Sequence, residues 1–402
     1  MTELEALIEA GPDHLKQVRQ EALAKFRAMG WPDAHEESYR FTRLRPFIAE
    51  HFETDAPEEN EGGSSVSFLD EPITVRFENG RVIYPELPAG VRIQNWTDQN
   101  ERVGHPIEEK SPFRLLNTAL RSSGACLQIE GEPQLPIYLQ FSAQGSSRAT
   151  HPRVMLRLAE GAHAQLIEHF VSTPGKAFTN AVIDIELGAN SSLQHILIVQ
   201  DGAERYHFRD ARIHQDTASH YSGTYFHLAG HQARHYLEVN LEGAHAETEL
   251  NALLLAKGQE QAENQFTVRH IAPSCKSRQQ VQSIVDESGH TVFTGKVIVG
   301  EDAPKTDAGQ SNRNLLLSST ARADAMPQLE IYTDDVACRH GSTTGNLDPE
   351  ALFYLMARGL SRQEARLMLI AAFAHEIAGR VRLPQLRNWV DDYITNRFGG
   401  SV

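Results

Sequence analysis

Near the N-terminus Leu15, Val18, Ala22 and Phe26 recur at helical spacing, and Trp31-Pro32 ends the run, which predicts an amphipathic helix. The acidic stretch ETDAPEENEGGSS at 53–65 reads as a linker. Alternating runs on either side of Asn79-Gly80 predict a hairpin, and PFRLLNTALR predicts a short helix. From about 125 to 345 the period changes to strand-length runs separated by turns. An alanine precedes the successive runs, at Ala162, Ala189, Ala218, Ala244, Ala272, Ala303 and Ala325, with spacings of 27, 29, 26, 28, 31 and 22. Two strands of roughly 7 to 9 residues and two turns fill one such period. The repeat therefore predicts a right-handed parallel β-helix, whereas a two-sheet sandwich gives no reason for a recurring turn residue. Ile167, Val171, Ile196, Ile198, Leu253 and Leu255 are expected to point inward, alternating with more polar outward positions.

Helical periodicity returns after residue 345. Asp348 caps a helix through EALFYLMARG that Gly359 can end. Ser361 and Glu364 form a capping box ahead of ARLMLIAAFAHEIAG, and Pro384 opens a last helix carrying Leu386, Trp389, Val390, Tyr393 and Ile394. Leu367, Ile370, Ala371 and Ala374 make a small and apolar stripe that must meet the solenoid or another chain. The expected fold is mostly β: a helical region with a small hairpin over 1–124, a β-helix core over 125–345 and a C-terminal helical domain over 346–402.

Composition narrows the setting. A formal charge of -15 and a pI near 5.7 argue against a nucleic-acid partner. The start, MTELEALIEAGPDH, lacks the basic and apolar regions of a signal peptide, and no apolar run reaches the roughly 18 residues of a membrane span. Three cysteines, Cys126, Cys275 and Cys338, are odd in number and far apart, which fits a reducing compartment. These features point to a cytoplasmic chain with no membrane partner.

No GxxxxGK[ST] and no G-x-S-x-G occurs, so any ATP-driven step falls to a partner. His375-Glu376 opens like a zinc-protease helix, but Gly379 stands where the second histidine belongs. His227, His231 and His235 would align on a helix, yet YFHLAGHQARHYLEVNL is strand-like and no carboxylate to orient an imidazole is visible. Repeated polar positions in adjacent solenoid turns explain that cluster better than a metal. A β-helix with scattered carboxylates could also be a self-contained metalloprotein or a carbohydrate-active enzyme, although the latter is usually exported. In DVACRHGSTTG (335–345), Cys338 and His340 sit two apart and share a face if the strand persists. Taken alone, the pair reads as a buried cysteine and a turn histidine, because two ligands do not complete a metal site.

The segment 293–378 resembles the SufB/SufD family of iron–sulfur cluster assembly proteins, its SufD branch most closely. The resemblance rests on Phe293, Gly295, TDAGQSNRNLLLS (306–318) and PQLEIYTDDVACRHGSTTGNLDPEALFYLMARGLSRQEAR (327–366), and weakly on VRHIAPSCKSRQQ, the ENG hairpin and EESYRFTRL. It implies a β-helix core flanked by helices, in a complex with a SufC-like ABC ATPase and a SufB-like paralogue. It implies a non-catalytic scaffold subunit that lacks the SufB cluster cysteine, since LLLSSTARADAMPQLEIY contains none. His340 is then the implied metal ligand facing the paralogue, and Cys338 an auxiliary one. The cargo would be a transient iron ion or iron–sulfur cluster shared with the partner, none being held tightly by the isolated chain, which could pair as a homodimer. Leu352, Phe353, Leu355, Leu367 and Ile370 are the expected ATPase-docking residues.

Overall fold

The computed structural model describes residues 13–33, 35–53, 69, 72–78, 81–95, 109–121, 124–143, 147–172 and 175–399. Nearly all of the expected linker at 53–65 lies outside them, as does Asn79-Gly80. The flanking strands Ile73–Glu78 and Arg81–Ile83 do pair antiparallel.

The chain forms a parallel β-solenoid of two sheets. One sheet runs through Ile73–Glu78, Ile137–Ala143, His163–Ser172, Ser192–Gln200, His220–Ala229, Glu247–Lys257, Lys276–Asp286, Thr306–Leu316 and Val336–Gly345. The facing sheet runs through Ala125–Ile129, Arg153–Leu158, Ala177–Leu187, Arg205–Gln215, Gln232–Leu241, Gln261–His270, His290–Val299 and Arg322–Ile331. Successive strands alternate between the sheets, so each stacks on the strand two places before it in sequence.

The repeat is real, but alanine is not what carries it. Before each of the six strands of the first sheet from His163–Ser172 to Thr306–Leu316 one residue is left-handed: Gly161, Asn190, Ala218, His245, Ser274 and Lys305, with φ between 53° and 67°. The N–H of each donates to a carbonyl one turn on, at Ala189, Thr217, Ala244, Pro273, Pro304 and Asp335, over 2.6 to 3.2 Å. That ladder satisfies backbone groups that would otherwise be orphaned at the turns. Ala325 is no turn residue at all; it lies within Arg322–Ile331 opposite Phe293, so the spacing of 22 was accidental. Gly243 is needed in its turn, because a Cβ there would run into the backbone of Thr217.

The expected facing of the strands is reversed. Leu166, Phe170, Leu193, Leu197, Tyr221, Tyr225, Leu250 and Leu254 fill the bore. Ile167, Ile196, Ile198, Leu253 and Leu255 are also buried, but on the outer face, beneath the C-terminal helices. Val171 shares the strand face of Ile167 and is half-buried. Strands covered on both faces read as continuous apolar runs, so alternation could not tell inside from outside.

Helices clothe both sheets. Helices α1 (Asp13–Met29), α2 (Leu44–Ile48) and α3 (Pro112–Leu120) pack Phe26, Phe47 and Phe113 against Phe178, Tyr206 and Phe208 of the second sheet. After the last strand come α4 (Pro349–Ala357), α5 (Arg362–Ala378) and α6 (Pro384–Phe398). The Asp348 side chain accepts from the Glu350 N–H, and Ser361 and Glu364 form the expected capping box. Ile370, Ala374, Ile377, Leu386, Val390 and Ile394 bury the inner stripe of α5 and α6 on the first sheet. No described helix is long and apolar enough to cross a membrane.

Candidate functional site at the open end of the solenoid

Val336–Gly345 is the last strand of its sheet. It pairs only with Thr306–Leu316, placing Cys338 opposite Ala308, His340 opposite Gln310, Ser342 opposite Asn312 and Thr344 opposite Asn314. Among the described residues its other edge has no partner strand. Asn312 accepts from the Ser342 hydroxyl at 3.1 Å, and Asn314 donates to the Thr344 hydroxyl at 3.1 Å. Both asparagines are buried, which identifies the bore side of the strand as the side of Ser342 and Thr344. By alternation Cys338 and His340 belong to that same side.

The two residues differ in setting. Cys338 is half-buried against Val297, Val299, Ala308 and Leu329, and burial pushes its thiol above the ordinary value. A metal would have to displace that proton to use the sulfur. His340 is exposed at the rim, and beneath it Gln310 is buried with neither amide atom hydrogen-bonded. Beside it opens a hollow lined by Arg278, Gln280, Ser311, Arg339, His340 and Arg380. A hydrogen bond from Arg278 holds the Asp307 carboxyl below its usual range, and Arg339 Nη1 lies 4.0 Å from the same carboxylate. The rim thus offers one imidazole, a recessed thiol and an unused amide, on an edge open to another chain.

The expected docking residues divide by position. On α4 Phe353 is 73% exposed, with Tyr354 and Met356 exposed beside it, while Leu352 and Leu355 are half-buried. On α5 Leu367 is half-buried and Ile370 is wholly buried against the first sheet.

The histidines separate as well. His227 and His235 enter the bore with ring centroids 4.2 Å apart, whereas His231 is only half-buried, beside Tyr206. Deeper in the bore is a polar network that the sequence reading missed. Arg209 donates twice to the Glu168 carboxylate, at 2.7 and 3.0 Å, and His195 Nε2 lies 2.8 Å from Glu168 Oε1, off the straight hydrogen-bond line. His195 Nδ1 is 2.6 Å from the Tyr221 hydroxyl, which is 2.6 Å from that of Tyr225. Burial alone would raise the Glu168 carboxyl; Arg209 and His195 outweigh it and bring it down to about 2. Gly223 is bare because a Cβ there would overlap the Tyr225 hydroxyl. The signal that could have found this network is Glu168 itself, a charge inside the apolar run HAQLIEHFV.

With the geometry in place, likeness to known proteins can be weighed. Residues 141–373 match the family described as SUF system FeS cluster assembly, SufBD core domain. The chain is 32% identical to the iron-sulfur cluster assembly protein SufD of Escherichia coli (strain K12), over 98% of this chain and 96% of that one. An iron-sulfur cluster assembly SufBD family protein of Synechocystis is 32% identical over 75% of this chain and 71% of its own. Protein ABCI7, chloroplastic, of Arabidopsis thaliana is 26% identical over 97% and 88%. The family match takes in the stacked turns and the strand bearing Cys338 and His340, and the Escherichia coli relative aligns nearly end to end. This chain belongs to the SufBD family of iron–sulfur cluster assembly proteins.

Proposed function

We propose that this protein is a non-catalytic subunit of a SufBCD-type scaffold and lends His340 to an iron ion or nascent cluster shared with a SufB-like paralogue. The observation that carries the reading is the terminal strand: His340 and Cys338 share its bore side, and its outer edge is unpaired. An unpaired parallel edge can add a strand from another chain and so bring that chain's ligands to the rim. Neutral imidazole binds iron and releases it on exchange, as a transfer point requires. One histidine cannot hold a cluster, so the partner supplies the rest, chiefly a cysteine. Cys338, raised by burial, is an auxiliary ligand at most. In the isolated chain the same edge would accept a second copy. The ATPase, a SufC-like chain, docks on the exposed face of α4 through Phe353, with Leu352, Leu355 and half-buried Leu367 at its margin; Ile370 is committed inside. Assembly takes place in the cytoplasm.

The test is His340→Ala in the reconstituted complex. Fold and partner capture should match the wild type, while iron and acid-labile sulfide retained per complex fall several-fold. Equal cluster yield would place the site elsewhere.

A further inference from the structure

Away from the open end, the bore holds a second group of imidazoles. His207, His227 and His235 are at most 1% exposed and come from three different strands: Arg205–Gln215, His220–Ala229 and Gln232–Leu241. Ring centroids are 5.4 Å apart for His207 and His235, and 4.2 Å for His227 and His235. None of the six ring nitrogens makes a well-formed hydrogen bond, and the Asn264 amide stands beside His227 without one. Each buried polar group left without a partner carries a desolvation cost. Unmet side-chain atoms occur elsewhere in the chain too, but here six of them belong to three neighbouring rings.

We propose that His207, His227 and His235 form an internal site for one divalent transition-metal ion, with Asp201 as the residue that orients His207. Asp201 Oδ2 lies 3.3 Å from His207 Nδ1, off the straight hydrogen-bond line. A carboxylate on one ring nitrogen fixes the tautomer and leaves Nε2 for a metal, the usual arrangement of a metal-binding histidine. The sequence alone could not supply this orienter, since Asp201 lies six residues from His207 across a turn. Three imidazoles suit zinc, iron or cobalt better than calcium or magnesium, which prefer oxygen.

Size and access favour an ion over an organic ligand. Asp201 and Phe170 line a narrow cleft that also meets Phe77, Phe141, Thr150 and Thr179, with a volume of about 10 Å³. That is room for one water-sized species. Phe170, which lines the cleft, also packs on His207 at 4.4 Å between centroids. As the rings stand, no three donors among the described residues converge on one point. Closing the site means turning His227 away from His235, at the cost of its off-line contact with the Asn264 amide.

The test uses Co²⁺ as the probe, added to chelator-stripped full-length protein, with retention after desalting and visible d–d bands as readouts. One retained equivalent with tetrahedral bands is expected. His235→Asn should lose it, and Asp201→Asn should weaken it about 10–100-fold. His231→Ala and His340→Ala should leave it unchanged, which separates this site from the one at the open end. Far-UV circular dichroism checks each variant, and His207→Asn replaces His235→Asn if the latter does not fold. No retained Co²⁺, or equal retention in the folded histidine variants, would overturn the site and leave the cluster to ordered water.

Discussion

Glu168 and Arg209 are the clearest case of a residue whose value lies in its partner. Both are fully buried, so either one left alone would be an uncompensated charge in the bore. Glu168→Ala should therefore destabilise the fold by about 3–5 kcal/mol, and removing Arg209 as well should recover part of that loss. Equal losses in the single and double variants, read from denaturant midpoints, would contradict the pairing. At this scale the sequence was informative where chemistry is local. The two-residue step from Cys338 to His340 placed both on one strand face, and the Ser361 and Glu364 box formed as read. It was silent where partners are distant in sequence, because Glu168 meets Arg209 41 residues later.

Between elements, the solenoid was legible through its period but not through its polarity. A repeat of nearly thirty residues needs only stacked turns, whatever residue fills them. Hence a left-handed position occupied by Gly, Asn, Ala, His, Ser and Lys in turn passed for an alanine repeat. Inside and outside were confused because α5 and α6 cover the outer face, making Ile167 and Ile198 as buried as Leu166 and Leu197. The same packing decides how ATPase docking can be tested. Truncation at residue 346 would strip the cover from Ile196, Ile198, Phe226, Leu253 and Ile284, exposing a contiguous apolar face. Point changes avoid this. Phe353→Asp on the open face of α4 should abolish ATPase capture with Tm unchanged, whereas Ile370→Asp should lower Tm by burying a charge. Capture retained by Phe353→Asp would move the docking surface off α4.

For the whole molecule, helices on both faces and a partly polar bore bury several imidazoles, and this sets the response to acid. Burial pushes His151 down to about 3, and His169 and His270 to about 4, from an ordinary value near 6.5. Each stays neutral in the folded chain while its unfolded counterpart takes up a proton as pH falls through about 6.5. The unfolded state then binds more protons, so stability is full above that pH and is lost on the way down towards the folded values. These three alone give a slope of up to about 4 kcal/mol per pH unit between roughly pH 6 and 4. Glu263 opposes them, since burial raises its carboxyl and lets the folded form bind a proton early, but burial also lowers His195, His227, His235 and His290. Urea midpoints should therefore fall steeply between pH 7 and 5. His151→Phe should shallow that fall, because it removes one of the protons taken up on unfolding. A midpoint flat across this range would mean that these histidines are already solvated in the folded chain.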